Sequence, residues 1–198
     1  MKILKIIIVV VVVLVLGALA FAMMQPAEGS LQSSIVINAS PASVYEECVD
    51  IKKLDAWSPW YNIEPAAFSY EGPVKGIGAT SMWDSEKEEL GKGSLKIIEA
   101  VPNEFIRTEM KFESFPGKFS SWIKLSPEGE GTKVVWGYDY SEINIIGRFF
   151  MGMMDINTTM LPMFEQGLAD LKQIVEAKPV AEPEMMEEAM ESDSTMVE

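Results

Sequence analysis

Glu104-Phe105-Ile106-Arg107-Thr108-Glu109-Met110-Lys111-Phe112 is the stretch that decides how this chain folds. In an extended strand successive side chains point to opposite faces. Ile106, Thr108, Met110 and Phe112 therefore share one face, and Arg107, Glu109 and Lys111 share the other. Val134, Trp136 and Tyr138 alternate in the same way with Lys133, Val135 and Asp139. One face is buried and one largely wet, as in an antiparallel sheet covered on a single side.

Outward from this strand, short apolar runs are separated by turn residues. Strands are expected at 66–70, 78–84, 91–101, 104–112, 118–126 and 132–140, with turns at 71–73, 86–90, 102–103, 116–117 and 127–131. Connections this short join adjacent antiparallel strands and leave no room for crossover helices. A further strand at 33–38 alternates around Ile35 and Ile37. Ser40-Pro41 then reads as a helix start, with Ser at the cap and Pro at the first helical position. A second short helix is expected over 51–56.

After the strands, 145–176 is the one long helical stretch of the domain. Phe149, Phe150, Met153, Met160, Phe164, Leu168, Leu171 and Val175 trace its apolar stripe. Pro162 costs an interior hydrogen bond, so a kink or break is expected near Thr158-Thr159. One sheet with one wet face can cover its other face only with this helix. The fold expected is α+β: about seven curved antiparallel strands gripping a long C-terminal helix, with a cavity between them.

The chain begins differently. An uncharged run from Ile6 to Ala22 follows Lys2 and Lys5, and thirteen of its seventeen residues are Ile, Val, Leu or Phe. As a helix it covers about 26 Å, close to a ~30 Å hydrocarbon core. A buried strand would be much shorter. The flanking lysines put the N-terminus on the cytoplasmic side and the domain outside. Ala20-Phe21-Ala22 offers a signal-peptidase pattern, so cleavage and secretion is the alternative, but the length of the run favours a retained anchor. The organisation expected is an anchor at 1–24, a linker at 25–32, the helix-grip domain at 33–177 and an acidic disordered tail at 178–198.

Composition excludes several chemistries. The net charge is -14, and residues 176–198 alone hold eight acidic residues against one Lys. Such a surface repels phosphate backbones, which argues against nucleic acid. There is no His, so the usual general base and the commonest metal ligand are missing. Cys48 is the only cysteine, so no intrachain disulfide forms. Met151, Met153, Met154, Met160 and Met163 cluster, but helical spacing divides them between faces and core packing explains them. Neither a metal nor any other cofactor is expected.

The residues from 33 to 175 resemble the START-like (SRPBCC) superfamily, in its polyketide cyclase/dehydrase-like branch. The likeness rests on Ile35-Val36-Ile37-Asn38-Ala39-Ser40-Pro41 with Val44-Tyr45, on Trp57-Ser58-Pro59-Trp60, and on Gly76-Ile77-Gly78-Ala79 through Trp83. It extends through the turn in 99–106, the strand at 131–136 and the closing helix at 164–172. The resemblance implies a helix-grip fold with a deep hydrophobic pocket. It implies no single chemistry, because the family holds lipid carriers, hormone receptors and aromatase/cyclases.

The pocket wall is expected to draw on Trp57, Trp60, Trp83, Ile106, Met110, Phe112, Trp136, Tyr138, Phe149, Met153, Met160 and Phe164. Met and aromatic side chains line adaptable apolar sites, although each also suits plain core. The aromatics of Trp57-Ser58-Pro59-Trp60-Tyr61 would close the mouth or touch lipid headgroups, or else plug the core. Catalytic candidates are few. Glu99 shares strand parity with Leu95 and Ile97, which would turn it inward, though pairing at the sheet edge is the plainer outcome. Tyr138 could donate a hydrogen bond. The expected role is a membrane-tethered binding module for a lipid or other small hydrophobic molecule, with the membrane reached through residues 6–22. The alternatives are a cyclase/dehydrase-type enzyme, or an envelope protein that binds a partner and no ligand.

Overall fold

A computed structural model of the chain describes residues 2–153 and 156–178. The expected tail at 179–198 lies outside them. Seven antiparallel strands form one open sheet: β1 (Gly29–Ile37), β2 (Phe68–Glu71), β3 (Thr80–Asp84), β4 (Lys92–Val101), β5 (Phe105–Phe112), β6 (Lys118–Glu128) and β7 (Gly131–Ser141). Their spatial order is β1-β7-β6-β5-β4-β3-β2. Consecutive strands pair as neighbours from β2 to β7, as their short turns require, and β1 closes on β7 with Ser33 opposite Trp136. Among the helices, α1 spans Lys2–Met24, α2 Pro41–Val49, α3 Ile51–Ala56, α4 Ile145–Met153 and α5 Ile156–Glu176.

Local chemistry sets the helix starts. The Ser40 hydroxyl accepts from the Ser43 amide at 3.2 Å, with Pro41 at the first position of α2. The Asp50 carboxylate accepts from the Lys52 and Lys53 amides at 3.0 and 3.3 Å and caps α3. Both use a side-chain oxygen to satisfy otherwise orphaned amides.

α5 lies against β1 and β7 and buries Phe164, Leu168, Leu171 and Val175 on one stripe. Full burial of such side chains stabilises by about 1.5–3 kcal/mol each, and this stripe holds the helix in the grip of the sheet.

Two expectations are corrected, and one is met only in its described parts. β1 begins at Gly29, so half of the expected linker at 25–32 is strand, paired from Gly29 opposite Tyr140. The helix expected over 145–176 is described over Ile145–Met153 (α4) and Ile156–Glu176 (α5), and residues 154 and 155 lie outside the described residues. Pro162 does not break the chain near Thr158-Thr159, because α5 runs through it. Packing of Phe164 and its stripe outweighs one lost amide.

Helix α1 is long and apolar enough to be a membrane span or a signal sequence. Its residues from Ile3 to Leu16 are exposed almost without exception, and Ala22 is its one buried residue.

Candidate functional site

A cavity of about 40 Å³ lies between α3 with its following loop and the middle of the sheet. Leu95, Ile106, Thr108, Ser121, Ile123 and Trp136 line it from the strands, and Leu54, Asp55, Trp57 and Ser58 from above. One water needs roughly 10–15 Å³ of such space, whereas pockets for larger ligands run to about 300–1,000 Å³. The interior is thus nearly filled. What fills it is a cluster of aromatic rings. Trp136 stands 4.8 Å from Trp57, 6.0 Å from Trp60 and 4.2 Å from Phe164 between ring centres. Trp60 meets Phe164 at 5.7 Å. These four rings occupy the space between α5 and the sheet where a pocket was expected. A Cβ on Gly167 would lie 2.7 Å from Trp136, so α5 approaches the cluster as closely as a glycine permits.

Three polar side chains of the cavity, Ser121, Thr108 and Asp55, are already partnered. The Ser121 hydroxyl donates to the Gly137 carbonyl at 3.1 Å and accepts from Trp136 Nε1 at 2.8 Å. Thr108 Oγ1 donates to the Ser121 carbonyl at 3.2 Å. Asp55 is the one ionisable side chain on the cavity, only 5% exposed, and it accepts a hydrogen bond from Ser81 Oγ. Burial raises its carboxyl from 3.8 to about 6, although the hydroxyls of Ser81 and Tyr70 pull the other way. The sequence reading missed Asp55. The signal was present: Asp55 lies four residues after Ile51, on the face of α3 that buries Ile51 and Leu54.

The residues expected in the pocket separate into three groups. Trp57, Ile106 and Trp136 line the cavity. Trp60, Met160 and Phe164 pack with Trp136 or the core around it. Trp83, Met110, Phe112 and Tyr138 belong to a second cluster nearer the α1 end, where Phe112 meets Trp83 at 5.9 Å and Phe119 at 5.2 Å. Two expected residues lie outside the grip altogether. Phe149 packs on Phe21 of α1 at 5.9 Å, and Met153 is 66% exposed, because both stand on α4, which packs along α1.

Glu99 does not point inward. A bulge between Ile97 and Glu99 shifts the alternation by one residue, so Glu99 faces water and pairs with Arg107 at 3.6 Å. Tyr138 is buried and its hydroxyl pKa is raised, by burial first and by Tyr140 second, but it lies away from the cavity. Trp57 is 1% exposed and donates Nε1 to the Glu47 carbonyl at 3.2 Å, so it is core and not a headgroup contact. The Cys48 thiol is fully buried, and burial raises its pKa, leaving it inert.

The profile of the family described as polyketide cyclase/dehydrase and lipid transport matches residues 28–176. Among solved structures, a protein from Rhizobium leguminosarum is 18% identical, with a TM-score of 0.56 over 76% of this chain and 96% of that one. A protein from Chromobacterium violaceum is 21% identical, with a TM-score of 0.53 over 75% and 98%. A protein of unknown function from Staphylococcus aureus is 13% identical, with a TM-score of 0.56 over 78% and 96%. At these identities the likeness is one of fold. No curated protein matches in sequence.

Proposed function

The chain belongs to the polyketide cyclase/dehydrase and lipid transport family, and we propose that this member is a membrane-tethered binding module for a small hydrophobic molecule. The observation that carries the reading is the interior itself: an apolar cavity under α3, walled by Trp57, Ile106 and Trp136, with one carboxylate on its rim. Few polar groups in an apolar enclosure is the usual pattern of a small-molecule site. At about 40 Å³ the cavity is smaller than such a ligand, so binding requires it to widen. A ligand enters by displacing Trp60, the half-buried ring of the aromatic cluster, together with the segment that carries it. Helix α1 supplies the tether. Lys2 and Lys5 keep its start cytoplasmic, which leaves the domain outside and brings it within reach of envelope lipids.

The test is extraction. The full chain is purified from membranes in mild detergent, bound apolar molecules are released into organic solvent and identified by mass spectrometry. In parallel, tryptophan emission is followed while a fatty acid is added. A stoichiometric apolar ligand, or a saturable change in emission, is expected. No co-purifying molecule together with an unresponsive emission would overturn the reading.

A second reading rests on Asp55. A carboxyl with a pKa of about 6 on the rim of a cavity suits general acid–base chemistry near neutral pH. An enzyme of this kind would lose about 10²–10⁴-fold in turnover as Asp55→Asn while still binding its ligand. If the same unaltered molecule is extracted from wild type and variant, this second reading fails.

A further inference from the structure

Among the described residues of the domain, helix α4 leaves a stripe of its apolar surface exposed. Ile146, Phe150 and Met153 are 65%, 53% and 66% exposed. Their spacing of four and three residues puts them on one stripe of the helix. The two flanks of this stripe are engaged: Gly147 is buried beside Ile143 and Phe115, and Phe149 packs on Phe21 of α1.

The stripe adjoins the end of α1. Arg148 Nη2 donates to the Met23 carbonyl and Nε to the Gln25 carbonyl, each at 2.8 Å. The guanidinium thereby satisfies carbonyls that a helix end leaves orphaned, and its charge complements the negative end of the helix dipole. A Cβ on Gly152 would sit 2.5 Å from Gln25, so α4 and the chain leaving α1 are in close contact. Met23 and Met24, 70% and 83% exposed, continue the apolar surface of α1 toward the same place. Charge sets the region apart. In a chain of net charge -14, residues 143–154 contain no acidic residue and one Arg. Glu142 and Asp155 bound this stretch, so it is a short acid-free segment, like residues 1–27 that include α1, and a headgroup layer repels it less than the acidic remainder of the chain.

We infer that α4 is an interfacial helix: it lies on the outer leaflet where α1 leaves the bilayer, with Ile146, Phe150 and Met153 buried at the headgroup–acyl boundary. This rests on the reading of α1 as a retained membrane span. With Arg148 holding α4 to the end of that span, the domain is fixed to the bilayer through two joined helices and does not swing on a tether. The second aromatic cluster, around Phe112 and Phe119, then lies on the membrane side of the domain.

Depth-dependent quenching in vesicles tests this with the full chain. The buried Cys48 thiol stays unlabelled, so cysteines introduced as Phe150→Cys, Ile146→Cys, Leu14→Cys and Glu130→Cys can each carry an environment-sensitive dye. Each variant is placed in phosphatidylcholine vesicles containing lipid with a doxyl quencher either near the headgroup or deep in the chain. Dyes at positions 150 and 146 are expected to shift to the blue and to be quenched severalfold more by the shallow quencher than the dye at 130. The dye at 14 should respond to the deep quencher. If 14 is quenched while 150 and 146 behave like 130, the span stands and the interfacial helix is refuted. If 14 is not quenched, the span itself fails, and the inference with it. A blue shift at 150 that follows protein concentration and ignores the quenching lipid would assign the stripe to a second copy of this chain, and would equally overturn the inference.

Discussion

Phe164 and Phe150 are both phenylalanines on apolar helix stripes, fourteen residues apart, yet they live in opposite environments. Phe164 on α5 is 2% exposed and touches Trp60 and Trp136. Phe150 on α4 is 53% exposed, its one recorded ring contact being its neighbour Phe149. The periodicity of a helix records that a face is apolar, not what covers it. In α5 the sheet covers the face. In α4 the protein leaves it open, beside the exposed apolar surface of α1.

The sharpest way to break this contrast is to truncate both rings. Phe164→Ala should cost about 3–5 kcal/mol, because it removes a buried ring and leaves a cavity that its neighbours cannot refill. Phe150→Ala should stay within about 0.5 kcal/mol, as surface substitutions do. Chemical denaturation of the full chain in detergent, followed by near-ultraviolet circular dichroism, separates the two. Equal losses would mean that α4 also is covered by protein.

Next in size is the pH dependence conferred by Asp55. Its carboxyl titrates at 3.8 when unperturbed and at about 6 in the fold, so the folded protein holds the proton more tightly. The associated stability is fully present below the unfolded value and is lost as the pH rises through the folded one. That is a fall of roughly 2–3 kcal/mol between the two values. Asp55→Asn should remove this slope from the denaturation midpoint measured across that range. A slope unchanged in the variant would show that Asp55 is solvated and that the cavity is open to water at its rim.

Smaller again is Gly167→Ala. The added methyl meets Trp136 at 2.7 Å and Pro59 at 3.1 Å. Overpacking should cost about 1–3 kcal/mol, offset by up to ~1 kcal/mol of helix propensity. A net gain in melting temperature would mean that the aromatic cluster yields easily, which is what ligand entry requires. The smallest effect is expected from Glu99→Gln. Its pair with Arg107 spans 3.6 Å between partly exposed side chains, so the loss should be at most about 0.5 kcal/mol at low salt. A larger loss would mean that Glu99 does more than pair at the surface.

Legibility in the sequence followed the range of the interactions concerned. The alternation of Ile106, Thr108, Met110 and Phe112 is set by backbone geometry, and the seven strands with their short turns could be read residue by residue. The cap at Ser40-Pro41 is equally local. The site was legible only in part. Trp57, Ile106 and Trp136, expected in the wall of a pocket under the C-terminal helix, line a small cavity under α3 together with Asp55, which the sequence did not single out although it stands on a buried helix face. Glu99 was placed by a parity that one bulged residue at Ile98 reverses. Phe149 and Met153 were assigned to the grip because the helix was read as continuous from 145 to 176.

The sequence by itself determined the apolar run of α1, the antiparallel strands and the helix that covers them, since each is written in a period of 2 or 3.6 residues or in the length of an uncharged segment. The tertiary structure decided what periodicity cannot express. Four rings, contributed by the loop after α3, by β7 and by α5, meet in one place and leave about 40 Å³ of cavity. Arg148 reaches back 125 residues to the Met23 carbonyl and ties α4 to the end of α1. Both depend on side chains distant in the chain competing for the same volume, and that competition is resolved only when the chain has folded.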